Sequence, residues 1–196
     1  SKQINPRTSF TISKATQPIS GKKHMIAVAH PLAAQAGREI LRRGGNALDA
    51  AITAELVLSL VEPQSSGIGG GAFLVYYEKK TGAIDTYDGR ETAPKSANPS
   101  MFLDGKGNPI KWHDASIGGL GVGVPGLLKM LELAHKEHGR LAWKDLFQPA
   151  IALARKGFPI SERLARQIKS ANQLSLDPNS KSYFFNADGS PKEAGT

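Results

Sequence analysis

The stretch Ala72–Glu91, AFLVYYEKKTGAIDTYDGRE, holds two runs rich in aromatic and β-branched residues, separated by Lys79-Lys80-Thr81-Gly82. A four-residue connection with glycine last, between two such runs, predicts a β-hairpin over 72–78 and 83–91. The residues on either side of it follow a different period, and the fold reading grows outward from this hairpin.

Upstream, His24–His30 (HMIAVAH) is a short apolar run bounded by histidines and predicts a buried strand. Pro31 suits the first turn of a helix, where its missing N–H costs little. Leu32, Ala36 and Ile40, with Ala33, Gly37 and Leu41, form the i, i+4 stripes of an amphipathic helix. Arg42 and Arg43 suit the negative C-terminus of that helix. Gly44-Gly45 stops it and Asn46 caps the next. Residues 47–60 (ALDAAITAELVLSL) carry only Asp49, Thr53, Glu55 and Ser59 as polar side chains, which predicts a buried helix. Two such helices joined by Gly-Gly-Asn should form a compact hairpin against a sheet, closed by SSGIGGG at 65–71.

Downstream, residues 94–125 are rich in Pro, Gly and Asn and predict loops with short elements. A helix is expected from Pro125 to about His138 through Leu127, Leu128, Leu131 and Ala134, with Gly139 as its stop. Pro149 divides 142–157 into two short helices. Ser161 caps a further helix to Ser170, after which turn signals appear without a closing element. The first 24 residues read as a polar arm, 25–185 as the folded body and 186–196 as a polar tail. Strand, two helices, hairpin, then helices is an α+β order and not a βαβ alternation.

Composition removes several function classes. The chain has 196 residues, 40% hydrophobic and 21% charged, which is a globular balance large enough for one core. No window approaches twenty apolar residues, so no membrane span is expected. The net charge of +8 is scattered in short runs without interleaved aromatics, so nucleic acid is not an expected partner. Zero cysteine excludes disulfides and thiolate metal sites. No apolar signal segment precedes His24.

Two glycine patterns imitate dinucleotide loops, Gly67–Ala72 and Gly121–Gly126. That fingerprint needs a strand before it and a helix after it, so that backbone N–H groups face a pyrophosphate. The first pattern runs from helix to strand. The second follows a poor strand, and Pro125 removes a donor. Neither is read as a nucleotide site. His24, His30, His113, His135 and His138 show no metal-ligand spacing, and His135 with His138 reads as a polar helix end, so neither metal nor cofactor is expected. Ser65-Ser66 reads as a turn. Arg90, in the stretch DGRETAP (88–94), is the one candidate binding residue. A guanidinium at a strand end offers a planar fork for a carboxylate. The plainer alternative is a local ion pair with Asp85, Asp88 or Glu91.

Taken together, Met25–Pro94 closely resembles the amino-terminal part of γ-glutamyltranspeptidases. The matching motifs are His30–Ala33, Gly44–Ala51, Gly67–Phe73 and Arg90–Pro94. MFLDGKGNP (101–109), GVPG (123–126) and FQPAIALARKGFPIS (147–161) extend the match to about residue 185. The resemblance implies an N-terminal nucleophile hydrolase, a stacked αββα sandwich that is incomplete in this chain. It implies a precursor that cuts itself into a large and a small subunit. The small subunit's new N-terminal threonine then supplies both nucleophile and amine base, passing a γ-glutamyl group from glutathione or a relative to water or an amine acceptor. It implies a periplasmic or secreted enzyme. The arginine that binds the substrate α-carboxylate matches Arg90, while no catalytic residue of the family falls in this chain. Ser1 begins a polar arm, not the apolar strand that such a nucleophile heads. On this resemblance the chain is a portion of a large subunit that does not catalyse alone. A non-catalytic assembly module of the same fold, and a cephalosporin acylase-like relative, are the alternatives.

Overall fold

The computed structural model describes residues 20–196. Most of the polar arm, residues 1–19, lies outside the described residues.

Helix α1 runs Pro31–Arg42, opened by Pro31 and by the His30 ring, whose Nδ1 accepts the Leu32 N–H at 3.2 Å. Its inward face is Ala33, Gly37 and Ile40, the expected stripe. Helix α2, Ala47–Val61, lies antiparallel to it and is buried on most faces. The few polar residues of α2 are used. Asn46 and Asp49 form a reciprocal cap, each side chain taking the other's N–H at 3.0 Å. The fully buried Asp49 carboxylate also accepts from Arg140 N at 3.2 Å and Leu141 N at 3.1 Å. Thr53 donates to the Leu146 carbonyl at 3.0 Å. A buried polar group is tolerated where its hydrogen bonds are complete, and these bonds fasten α2 to the segment Arg140–Leu146, some ninety residues away.

The hairpin forms as expected. Strands β1 (Phe73–Glu78) and β2 (Ala83–Asp88) pair antiparallel from Phe73↔Asp88 to Glu78↔Ala83. Gly82, at φ 73°, supplies the left-handed turn residue. Leu74, Tyr76 and Tyr87 pack inward on the main core of Ile40, Leu48, Ile52, Leu56, Leu127, Met130 and Leu131. The opposite face leaves Phe73, Val75, Tyr77 and Ile84 exposed. An isolated two-stranded sheet is marginal in water, so the packing of its inner face against the helices holds it.

A five-residue helix, α3 (Trp112–Ser116), interrupts the 94–125 loops. Helix α4 runs Leu127–His138, starting two residues later than expected. Pro149 divides the next segment as predicted, into α5 (Trp143–Leu146) and α6 (Gln148–Lys156). Ser161 caps α7 (Glu162–Ser170), its side chain accepting Leu164 N at 3.1 Å.

Two expectations are corrected and a third is sharpened. Residues 24–28 are extended but form no strand. Ile26 and Val28 turn inward and Met25 and Ala27 outward, a strand's alternation. Among the described residues, however, no other segment pairs with their backbone. A strand is defined by its ladder, and apolar alternation cannot supply one. Second, the chain continues beyond Ser170 with a 3₁₀ turn (Asn172–Leu176) and α8 (Pro178–Phe184), capped by Asp177. Phe185 there joins Leu164 and Ile168 in a small separate core. Third, the polar helix end of His135 and His138 has specific partners that the sequence did not indicate. His138 stacks on Tyr76 with centroids 4.3 Å apart and places Nε2 2.8 Å from the Tyr87 hydroxyl. Asp85 lies 3.3 Å from the same nitrogen, and Tyr87 donates to Glu137 at 2.5 Å. Burial, then the Glu137 carboxylate, pushes the Tyr87 phenol up, so it stays a donor. This cluster pins the C-terminal end of α4 to the hairpin.

Candidate substrate-anchoring site

Arg90 stands two residues beyond β2, and the backbone around it is held from three sides. The hairpin ladder continues past β2, since Gly89 N donates to Ala72 O at 2.9 Å and Ala72 N to Gly89 O at 3.3 Å. Beyond Arg90, Thr92 and Val124 exchange both backbone bonds, at 2.8 and 3.3 Å. The Asp88 carboxylate accepts the Arg90 N–H at 2.9 Å, closing a local turn. Asp88 therefore holds the Arg90 backbone, while Asp85 is engaged with His138 instead.

The two glycine patterns that imitate nucleotide loops close on this segment. Gly70 O accepts from both Gly126 N and Leu127 N at 3.1 Å, joining the first loop to the start of α4. A Cβ at Gly71 would lie 2.5 Å from Gly89 O and 2.7 Å from Glu91 Oε2. A Cβ at Gly126 would collide with Gly89 O, and one at Gly123 would come within 2.8 Å of Glu91 Cβ. These glycines are needed for close approach of three backbones, not for cradling phosphate. The sequence reading had no signal for this, because the partners of each loop lie far away in the chain.

Glu91 fills the space so made. Its Oε2 is closed off from solvent, makes no hydrogen bond, and stands 3.3 Å from Arg90 Nη1. The contact is ionic, not a directed hydrogen bond. The Arg90 side chain remains 61% exposed, so the pair itself contributes little stability, on the order of 0.2–1 kcal/mol. What it contributes is direction. Among the described residues, no hydrogen bond occupies the guanidinium, and its donors are available. It opens onto a cleft of about 420 Å³ whose other walls include Met101, Phe102, Leu120 and Val122. A planar cation with free donors, beside a carboxylate and on an open cleft with apolar walls, suits a small anion with a forked acceptor.

Among the described residues, no group of three or more His, Asp or Glu side chains could hold a metal ion. Nor is any helix there long and apolar enough to cross a membrane.

The family profile described as Gamma-glutamyltranspeptidase matches residues 33–196. The chain belongs to the γ-glutamyltranspeptidase family. It is 44% identical over 175 residues to the glutathione hydrolase proenzyme of Bacillus subtilis strain 168, covering 89% of this chain and 30% of that protein. Its fold superposes on the γ-glutamyltranspeptidase of Helicobacter pylori with a TM-score of 0.86 and 36% identity, over 91% of this chain and 51% of that one. The cephalosporin acylase of Bacillus halodurans superposes with a TM-score of 0.71 and 28% identity, over 95% of this chain and 36% of that one. The α+β architecture is thus part of the N-terminal nucleophile hydrolase fold. The chain spans about a third of the length of the curated relatives it matches.

Proposed function

We propose that this chain is a portion of the large subunit of a γ-glutamyltransferase or glutathione hydrolase, and that Arg90 binds the α-carboxylate of the γ-glutamyl substrate. The observation that carries the reading is the state of Arg90. It is mounted on a backbone bonded on both sides, paired with Glu91, and its guanidinium is unoccupied by any hydrogen bond among the described residues. Membership of the family supplies the chemistry around it.

In that chemistry the substrate's carboxylate docks on the Arg90 fork, and its γ-carbonyl points to a threonine that heads the small subunit. The threonine hydroxyl attacks the carbonyl carbon while its own α-amine takes the proton. Collapse of the tetrahedral intermediate breaks the amide bond, and the leaving amine receives that proton. Water or an amine acceptor then attacks the acyl-enzyme and releases the threonine. This chain's share is binding and orientation, which lowers the barrier by holding the carbonyl in an attacking geometry. No metal or cofactor takes part. The partners are the small subunit of the same precursor, glutathione or another γ-glutamyl compound, and water or an amine acceptor. A periplasmic or secreted location accords with the relationship.

The test is made on the enzyme assembled with its threonine-bearing partner chain, using a γ-glutamyl anilide. Arg90→Lys keeps the charge and removes the fork. It should raise KM by about ten- to a hundredfold, the worth of one charge-assisted bond. An unchanged KM overturns the role of Arg90, and no hydrolysis by the correctly paired wild type favours an assembly module. The likeness to a cephalosporin acylase supports a second reading, in which Arg90 grips the carboxylate of a different acyl group. A donor lacking the α-amine, cleaved faster than its γ-glutamyl counterpart, would favour it.

A further inference from the structure

The loop Ser65–Gly71 supports the Arg90 site, and its N-terminal end is fastened by residues with no part in the chemistry above. Glu62, the residue that closes α2, is 3% exposed. Its carbonyl accepts the N–H groups of Ser65 at 2.9 Å and Ser66 at 3.0 Å, so its backbone caps the helix and starts the loop. Its buried carboxylate takes Gln64 Nε2 at 2.6 Å and lies 3.4 Å from Nη1 of Arg163, on α7. The other guanidinium nitrogen, Nη2, donates to Ser65 Oγ at 3.2 Å. One arginine from nearly a hundred residues away therefore grips both the root of the loop and its first residue.

At its far end the same loop is tied to the site. Gly70 O receives the two N–H groups that open α4, and Gly71 lies against Gly89 O and the Glu91 carboxylate. Only Glu62 is buried; the Arg163 side chain is 54% exposed, so the pair itself contributes little stability. What the guanidinium contributes is a bridge, ionic to Glu62 at the helix end and hydrogen-bonded to Ser65 at the start of the loop.

We infer that Arg163 is a positioning residue for the Arg90 site. Through Glu62 and Ser65 it sets the 65–71 loop, the loop sets Glu91, and Glu91 aims Arg90. The inference rests on the reading that Arg90 binds the substrate carboxylate. Each link is a contact or a short run of chain.

The experiment uses the assembled two-subunit enzyme and a γ-glutamyl anilide, with KM, kcat and melting temperature measured for each variant. Arg163→Ala should raise KM roughly three- to tenfold and leave kcat within about twofold, the scale of coupling through a packed network. Arg163→Lys should recover part of the loss, since it restores the charge but not the two-point grip. Ser65→Ala removes one bond and leaves Glu62 with its Arg163 partner, so it folds even where Arg163→Ala does not, and it should raise KM about twofold. The decisive measurement is Arg163→Ala in the Arg90→Lys background, where it should add nothing, because the effect passes through the fork. The same factor in both backgrounds, or an unmoved KM for Arg163→Ala and Ser65→Ala beside a raised KM for Arg90→Lys, overturns the positioning role alone. An unmoved KM for Arg90→Lys overturns the carboxylate reading, and the positioning role falls with it.

Discussion

Two extended segments of this chain, 24–30 and 88–92, have opposite fates. The first is apolar and alternates inward and outward as a strand should, yet no described segment pairs with its backbone. The second is polar and glycine-bearing, yet its backbone is bonded to Ala72 on one side and to Val124 on the other. Hydrophobicity decided which side chains of 24–30 turn inward. It did not decide pairing, which depends on whether another backbone comes alongside. Around 88–92 glycines let two other backbones approach, and the segment is held on both sides.

The contrast can be broken most sharply at its glycines. Gly71→Ala or Gly126→Ala should destabilise the chain by about 2–3 kcal/mol, as overpacking against an immovable backbone does. Gly69→Ala, in the same loop but with open space where its Cβ would go, should change stability by less than about 0.5 kcal/mol. Denaturant melts of the three variants make the comparison, and equal losses would refute the close-approach account. A smaller effect is expected on the other side. Ile26 packs between the two main apolar clusters without a ladder to hold it, so Ile26→Ala should cost about 1–2 kcal/mol, below the usual range for a fully buried isoleucine. A loss of 4 kcal/mol or more would mean that 24–30 is held as firmly as the site.

The smallest effect concerns Glu55, which shares with residues 23–28 a cavity of about 670 Å³. Its partial burial holds the carboxyl above the usual range. With the folded value raised, the native state binds the proton more tightly than the unfolded one. Stability is then complete below the ordinary value of 4.5 and lost as pH rises through the folded value. Glu55→Gln should raise the melting temperature slightly at neutral pH and leave it unchanged at about pH 4. A rise of equal size at both would show that ionisation is not the cause.

Much of the architecture was legible because its signals are local. Pro31, Asn46 and Ser161 mark helix starts through a fixed φ or a side-chain acceptor, and Gly82 and Pro149 mark breaks by the same backbone logic. Arg90 was legible as a candidate from its residue type and strand-end position alone. Its surroundings were not. The acids beside it in sequence turned out to do different things, Asp88 holding the backbone N–H and Glu91 the side chain. His138 read only as a polar helix end because its partners, Tyr76, Asp85 and Tyr87, lie fifty and more residues away. The glycine patterns were set aside as nucleotide sites, but their actual partners were hidden for the same reason. A glycine states that something comes close, and it does not state what.

The sequence by itself determined most of the elements from α1 to α7, their order, the buried character of α2, and the family to which the chain belongs. These follow from periodicity, capping and motif spacing, all of them properties of neighbours along the chain. Only the tertiary structure decided that Gly70, Gly71, Gly123 and Gly126 pack around the backbone at Arg90 and the Glu91 side chain, and that an arginine on α7 contacts the root of the loop beneath it. Those are contacts between residues far apart in sequence, and their geometry exists only once the helices have packed.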